Sequence, residues 1–257
     1  MIISVVNQKG GVAKSTTTTS LASALAKQGL KVLVVDMDAQ ANSTVGLGID
    51  DESLEHSLSD LLLSEKVFSN MVESVIIRTD YDNLYLLPSD ISLASVENDL
   101  SKAMNREMIL SKILRLVRDK FDYILIDCPP NLGLMSINAL AASDKVIIPL
   151  APGYFSAKGI NHLYRTIEVI QENLKPDLDI MGILVTQFDA RKKNHLDLRE
   201  KLPGIFGEKL FETFIRVDTQ VEHAQEEKTT VVYFNEKAKA SQDYIKLAEE
   251  VIDRGRK

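Results

Sequence analysis

Asn7-Gln8-Lys9-Gly10-Gly11-Val12-Ala13-Lys14-Ser15-Thr16 follows directly on a short apolar, β-branched run, Ile2-Ile3-Ser4-Val5-Val6. A helical pattern comes next, with Leu21, Ala22, Leu25 and Ala26 on one face. Strand, glycine turn, Lys-Ser and helix form the context of a phosphate-binding loop. Gly10 and Gly11 let the backbone curl so that successive N–H groups face an anion. The helix that starts near Lys14 adds its open amides and the positive end of its dipole. Lys14 is expected to reach the β- and γ-phosphates, and the Ser15 hydroxyl to ligate Mg²⁺. The nucleotide-binding loop is therefore read as Lys9, Gly10, Gly11, Val12, Ala13, Lys14, Ser15 and Thr16. Gln8 and Ala13 stand where the ordinary Walker A pattern has glycines. The run matches the deviant form, Lys-Gly-Gly-x-x-Lys-Ser/Thr, whose second lysine is Lys9. By itself, Lys9 reads equally well as a solvated lysine in a glycine turn.

Working outward, Lys31-Val32-Leu33-Val34-Val35-Asp36 is apolar almost throughout, as a strand covered on both faces must be. It runs into Met37-Asp38-Ala39-Gln40-Ala41-Asn42-Ser43-Thr44. Two carboxylates at the carboxyl end of a strand stand where open α/β sheets bind ligands. One of Asp36 and Asp38 is expected near the metal and the other near the attacking water. Tyr123-Ile124-Leu125-Ile126-Asp127-Cys128-Pro129-Pro130 is an apolar strand ending in Asp, the Walker B arrangement in which a carboxylate holds Mg²⁺. Ser15 and Asp127 are therefore expected at the metal. Cys128 is read as a small buried thiol rather than a nucleophile.

Further strands are expected at 83–89, 145–150 and 180–186, with a last short one at Phe211–Ile215. Helices are expected around Leu54–Leu62, from Leu100 to Lys120, from Ala157 to Asn173 and from Ala240 to Arg254. The 100–120 segment places Met104, Met108, Ile113, Leu116 and Val117 on one side and mainly Lys and Arg on the other. Gln187-Phe188-Asp189-Ala190-Arg191-Lys192-Lys193 follows a core strand, could cover the nucleotide base and holds the densest basic cluster. Strand–helix alternation points to an α/β, single-domain, three-layer P-loop fold. Its central sheet would be mostly parallel, with helices on both faces.

The 257 residues and 45% hydrophobic content suit one sizeable domain over residues 1–257 and fall short of two. A single Cys cannot form an internal disulfide, which fits a reducing cytoplasm. No apolar run approaches the ~18 residues of a membrane span. Met1 leads straight into the first strand, so neither a signal peptide nor an N-terminal helix-turn-helix domain is expected. The net charge of −7 argues against a surface coated for nucleic acid, although local basic patches still bind it.

The loop at Lys9–Thr16, the run Asp36–Thr44 and the strand Ile124–Pro130 resemble, in order and spacing, the ParA/Soj partition ATPases. These belong to the deviant Walker A (SIMIBI) class, with MinD and the nitrogenase iron protein. Asn138-Ala139-Leu140, Asp144 and the tail from Ile215 through Tyr233 to Tyr244 carry the resemblance to the end of the chain. It implies an ATPase that binds ATP and Mg²⁺ and forms a homodimer around two nucleotides. Lys9 would reach across to the partner's phosphates. Asp36 would join Ser15 and Asp127 on the metal side, Asp38 would position water, and Lys9, Lys14 and Asp38 would form the catalytic set. It also implies non-specific DNA binding by the ATP-bound dimer, release on hydrolysis stimulated by a ParB-type protein, no membrane attachment, and a cytoplasmic, nucleoid-associated location. Arg191, Lys192 and Arg216 are the DNA candidates. Thr186 and Asp218 are assigned to the adenine by position.

Two rivals share the fold. A MinD-like positioning ATPase would call for a basic amphipathic tail, which is missing; the other is a metabolic ATP-dependent ligase or reductase, whose iron–sulphur version would call for cluster cysteines. The family commonly has glycine where this chain has Ala13, whose Cβ is expected to require negative φ.

Overall fold

The computed structural model describes residues 1–101, 103–153 and 159–256 in full, and residues 102, 154, 157 and 158 by their backbone. Seven strands form one sheet: β1 (Ile2–Val5), β2 (Val32–Asp36), β3 (Ile77–Arg78), β4 (Leu84–Leu87), β5 (Tyr123–Asp127), β6 (Lys145–Leu150) and β7 (Asp179–Val185). Their spatial order is β3-β4-β2-β5-β1-β6-β7. Every neighbouring pair is parallel except β3 with β4.

Twelve α-helices are present among the described residues. The first six are α1 (Lys14–Lys27), α2 (Asn42–Gly46), α3 (Leu58–Leu63), α4 (Ser69–Val75), α5 (Leu93–Asp99) and α6 (Ile109–Arg115). The others are α7 (Leu134–Ala142), α8 (Ala157–Asn173), α9 (Lys193–Phe206), α10 (Thr219–Glu226), α11 (Val231–Phe234) and α12 (Lys239–Gly255).

Alternation along the strands splits the core into two layers. Leu33, Val35, Ile124, Ile126, Val146 and Ile148 face one way and pack with Leu110, Leu114, Leu140 and Leu163. Val32, Val34, Leu125 and Ile147 face the other way and pack with Leu21, Leu25, Leu247 and Val251. Fully burying each such side chain stabilises the fold by roughly 1.5–3 kcal/mol, so helices must cover both faces of the sheet. The register also sets the site. Val5 and Asp36 both lie beside Asp127, so β1, β2 and β5 end at one level.

The sequence expectations hold for β1, β2, β4, β5, β6, β7, α8 and α12, and three details differ. The 100–120 segment is not one helix. It breaks at Ala103, which is extended, and at Asn105, which has φ 51°. Just past the break, Asn138 of α7 takes the place of the helical bond between Arg106 and Leu110: it accepts the Leu110 amide and donates to the Arg106 carbonyl. Tertiary hydrogen bonds thus override the helical spacing, and Met104 is left 90% exposed. Phe211–Ile215 forms no regular strand; it runs along β7, with isolated bridges from Leu210 to Ile183 and from Arg216 to Phe188 at its two ends. The two-residue antiparallel edge strand β3 is too short to carry a periodic signal.

Candidate active site

The loop between β1 and α1 opens a cleft of about 420 Å³ at the carboxyl ends of the strands. Gly10, Gly11, Ala13, Lys14, Ser15, Thr16 and Asp38 line it. The first turn of α1 has no side-chain cap, because Ala13 stands at the N-cap position. Its leading amides are therefore free to hold an anion. Gly11 has φ 72° and Ala13 φ 62°. The expectation of negative φ at Ala13 is therefore wrong. The chain must pass through the left-handed region to enter α1, and alanine does so at a cost of about 1–2 kcal/mol. Val12 turns its side chain into the core, and its carbonyl accepts the Thr186 hydroxyl at 3.1 Å.

Lys14 is buried, and its Nζ donates to the Lys9 carbonyl at 3.3 Å. Burial pulls its pKa down, opposed chiefly by the negative charge of Asp127. Lys9 is exposed, and its ammonium has no protein partner among the described residues. Thr16 accepts a hydrogen bond from Gln225 Nε2 at 3.2 Å.

Three carboxylates gather beside the loop and are held very differently. Asp36 is fully buried and saturated. Its Oδ1 accepts the Asp38 amide at 3.1 Å, and its Oδ2 accepts the Thr44 amide and hydroxyl at 2.8 and 2.9 Å. Asp127 Oδ2 accepts the Ser43 hydroxyl at 2.7 Å, but Asp127 Oδ1 is buried with no partner. Asp38 accepts the Gln40 amide on Oδ1 and otherwise faces the cleft. Burial raises the pKa of both Asp36 and Asp127, and the negative charge of Asp127 raises that of Asp36 further. The orphaned Asp127 oxygen beside Ser15 and Lys14 is what a small oxygen-seeking cation requires, so the residues present fit Mg²⁺. Cys128 is fully buried, and burial pushes its thiol pKa well up, as an inert packing thiol requires.

A second cavity of about 540 Å³ continues the cleft past Gly11, Ala13 and Thr16. Thr186, Gln187, Lys192, His195, Arg216 and Asp218 line it. Both residues assigned to the adenine border this space, but their side chains are engaged. The Thr186 hydroxyl is bound to the loop, and Asp218 caps α10 through the Gln220 amide while accepting the Ala240 amide. Arg191 is 86% exposed and forks onto Asp189, holding that carboxyl well below the usual range. Lys192 stands beside it at the start of α9. Arg216 instead forks onto Asp243, which is 5% exposed, and also donates to the Lys239 carbonyl. Its guanidinium thereby ties α12 to the segment after β7.

A family model described as an AAA domain matches residues 1–180. The sporulation initiation inhibitor protein Soj of Bacillus subtilis is 36% identical over 254 residues, covering 99% of each chain. The chain belongs to the ParA/Soj family. A chromosome partitioning protein ParA of Caulobacter vibrioides is 35% identical over 257 residues, covering 99% of this chain and 95% of its own. Among solved structures, cobyrinic acid a,c-diamide synthase of Mycobacterium smegmatis with ADP and magnesium superposes with a TM-score of 0.85 at 31% identity. That match covers 99% of this chain and 95% of the synthase. The septum site-determining protein MinD of Pyrococcus horikoshii with Mg-ADP gives 0.80 at 29% identity, over 97% and 95% of the two chains.

Several residues that shape the site were not singled out from the sequence. Ser43 and Thr44 stand in the run after Asp38, and their hydroxyls hold Asp127 and Asp36. Gln187 donates to the Gly11 carbonyl at 3.1 Å, and Gln225 reaches Thr16. Neither glutamine had a sequence signal, because each acts across more than 170 positions.

Proposed function

We propose that this chain is a Mg²⁺-dependent ATPase of DNA partition, hydrolysing ATP to ADP and phosphate. One observation carries the reading: Lys14, Ser15 and Asp38 line a single cleft at an uncapped helix start, with the unpartnered Oδ1 of Asp127 buried beside Ser15 and Lys14. The loop amides and Lys14 hold the phosphates, while Ser15 and Asp127 hold the cation. Asp36 acts by fixing the Asp38 turn and the start of α2, since both of its oxygens are already engaged. Mg²⁺, when bound, would supply neutralisation of phosphate charge. Asp38 orients the attacking water, and Lys14 offsets charge on the transferring group, so catalysis rests on positioning and electrostatics.

The free Lys9 ammonium fits a role on a second copy. Two ATP-bound faces repel, and a cation reaching across offsets that repulsion. In this reading the ATP-bound homodimer binds DNA without sequence preference through Arg191 and Lys192. Arg216 contributes its exposed edge while bracing α12. A ParB-type partner stimulates a slow basal turnover and releases the DNA, and the protein works in the cytoplasm on the nucleoid.

A MinD-like role in spatial positioning is the second reading, supported by the MinD superposition. The apolar face of α12 counts against membrane attachment there, because Tyr244, Leu247, Ala248 and Val251 are buried against the body. No helix of the described residues is long and apolar enough to cross a membrane.

Retention on generic duplex DNA with ATP, with ADP and without nucleotide tests the reading. Retention is expected with ATP alone and should fall steeply with salt as counterions are released. Binding that ignores nucleotide or salt would overturn it.

A further inference from the structure

Among the described residues, the base end of the cleft contains one polar side chain with an uncommitted donor on a fixed ring. Thr186, Asp218 and Arg216 are engaged within the chain, and the Gln187 amide nitrogen is bound to Gly11. His195 differs. Its Nδ1 accepts the Asp189 amide at 3.1 Å, so the neutral ring carries its proton on Nε2. That Nε2 has no protein partner among the described residues and is not among their enclosed, unsatisfied atoms, so it reaches the surface at His195, which lines this cavity. The ring is 6% exposed and packs at a tilt against Phe188, with centroids 6.0 Å apart. It stands in the first turn of α9, whose backbone fixes its approach. Burial, and then the charge of Lys192, push the ring's pKa down, which keeps the neutral single-donor form near pH 7.

We propose that His195 reads the nucleotide base, donating its Nε2–H to a ring nitrogen of the purine. The proposal rests on the ATP-binding reading above and adds a residue through which the pocket distinguishes bases. The same ring holds the Asp189 amide, and Asp189 in turn holds Arg191. Base recognition and the basic turn are therefore built around a single imidazole.

Calorimetric titration with ATP and with 1-deaza-, 3-deaza- and 7-deaza-ATP tests this. One analogue should bind the unmodified protein about 3- to 10-fold more weakly than ATP, the value of one neutral hydrogen bond. In His195→Asn, the amide oxygen still accepts from Asp189 while the cavity donor is lost. ATP should then bind more weakly by the same factor, and that analogue should carry no further penalty. His195→Gln, which places a donor near the Nε2 position, should restore the preference for ATP over the analogue. If no analogue is penalised on the unmodified protein, the proposal is overturned without any variant. A His195→Asn protein that binds ATP as before also overturns it, as does one that weakens ATP and all three analogues alike. Failure of the unmodified protein to bind ATP at all would overturn the ATPase reading as well, and so differs from failure of the base contact alone.

Discussion

The phosphate end and the base end of the cleft meet at Gly11, Ala13 and Thr16, which line both. On the phosphate side, groups are buried or fixed and yet keep spare capacity. Lys14 rests only on a carbonyl, Asp127 keeps one oxygen unpaired, and Asp38 faces the opening. On the base side, the charged and hydroxyl side chains near the loop are mostly consumed. Arg216 and Asp218 secure α12 and α10, and Thr186 braces the loop. Leaving a buried polar group unmet costs about 1–3 kcal/mol, a cost that persists only where a ligand or the chemistry makes use of it. Spare valence therefore marks the reacting end, and saturation marks the scaffold that holds it.

Changing the two ends should break different things. The largest effect is expected from Asp38→Ala, which should lower kcat about 10²- to 10⁴-fold and leave ATP affinity near that of the unmodified protein. Single-turnover hydrolysis beside equilibrium binding checks this, and normal turnover would remove Asp38 from the mechanism. Lys14→Ala should weaken ATP on the order of 100-fold, the upper range for a hydrogen bond to a charged group. Filter binding measures it, and unchanged affinity would refute the phosphate-loop assignment.

Arg216→Ala tests the scaffold side. It strands Asp243, 5% exposed, without its fork, and should cost about 2 kcal/mol of unfolding free energy in a denaturant titration. That figure is scaled down for the half-exposed guanidinium. If stability is unchanged while DNA retention is lost, Arg216 belongs to the DNA surface and not to the frame. The smallest effect belongs to Ala13→Gly. Relief of the left-handed alanine is offset by the greater freedom of glycine in the unfolded chain, so stability should move by less than about 1 kcal/mol. A thermal melt with and without ATP would show whether that strain is stored in the loop.

Much of this was legible in the residues, and what was not has one cause. Glycine turns, β-branched runs and strand-terminal carboxylates are local signals, so the phosphate loop, the Asp127 strand and the two-faced sheet were all readable. The 100–120 segment misled because its helical spacing is local too, whereas the bonds from Asn138 that interrupt it come from a helix about 30 positions away.

The sequence by itself determined which loop carries the phosphate-binding pattern, which three aspartates stand at or just past the strand ends, and that helices must cover both faces of the sheet. Only the tertiary structure decided how those groups are used. It saturated Asp36 through Thr44 and Asp38, left one oxygen of Asp127 open, turned Arg216 inward to Asp243, and forced Ala13 into the left-handed region. The physical reason is the range of the interactions. Periodicity and turn chemistry act over a few residues and can be read along the chain. Which donor meets which acceptor is settled by partners such as Thr186 and Val12, 174 positions apart, that only the completed fold brings together.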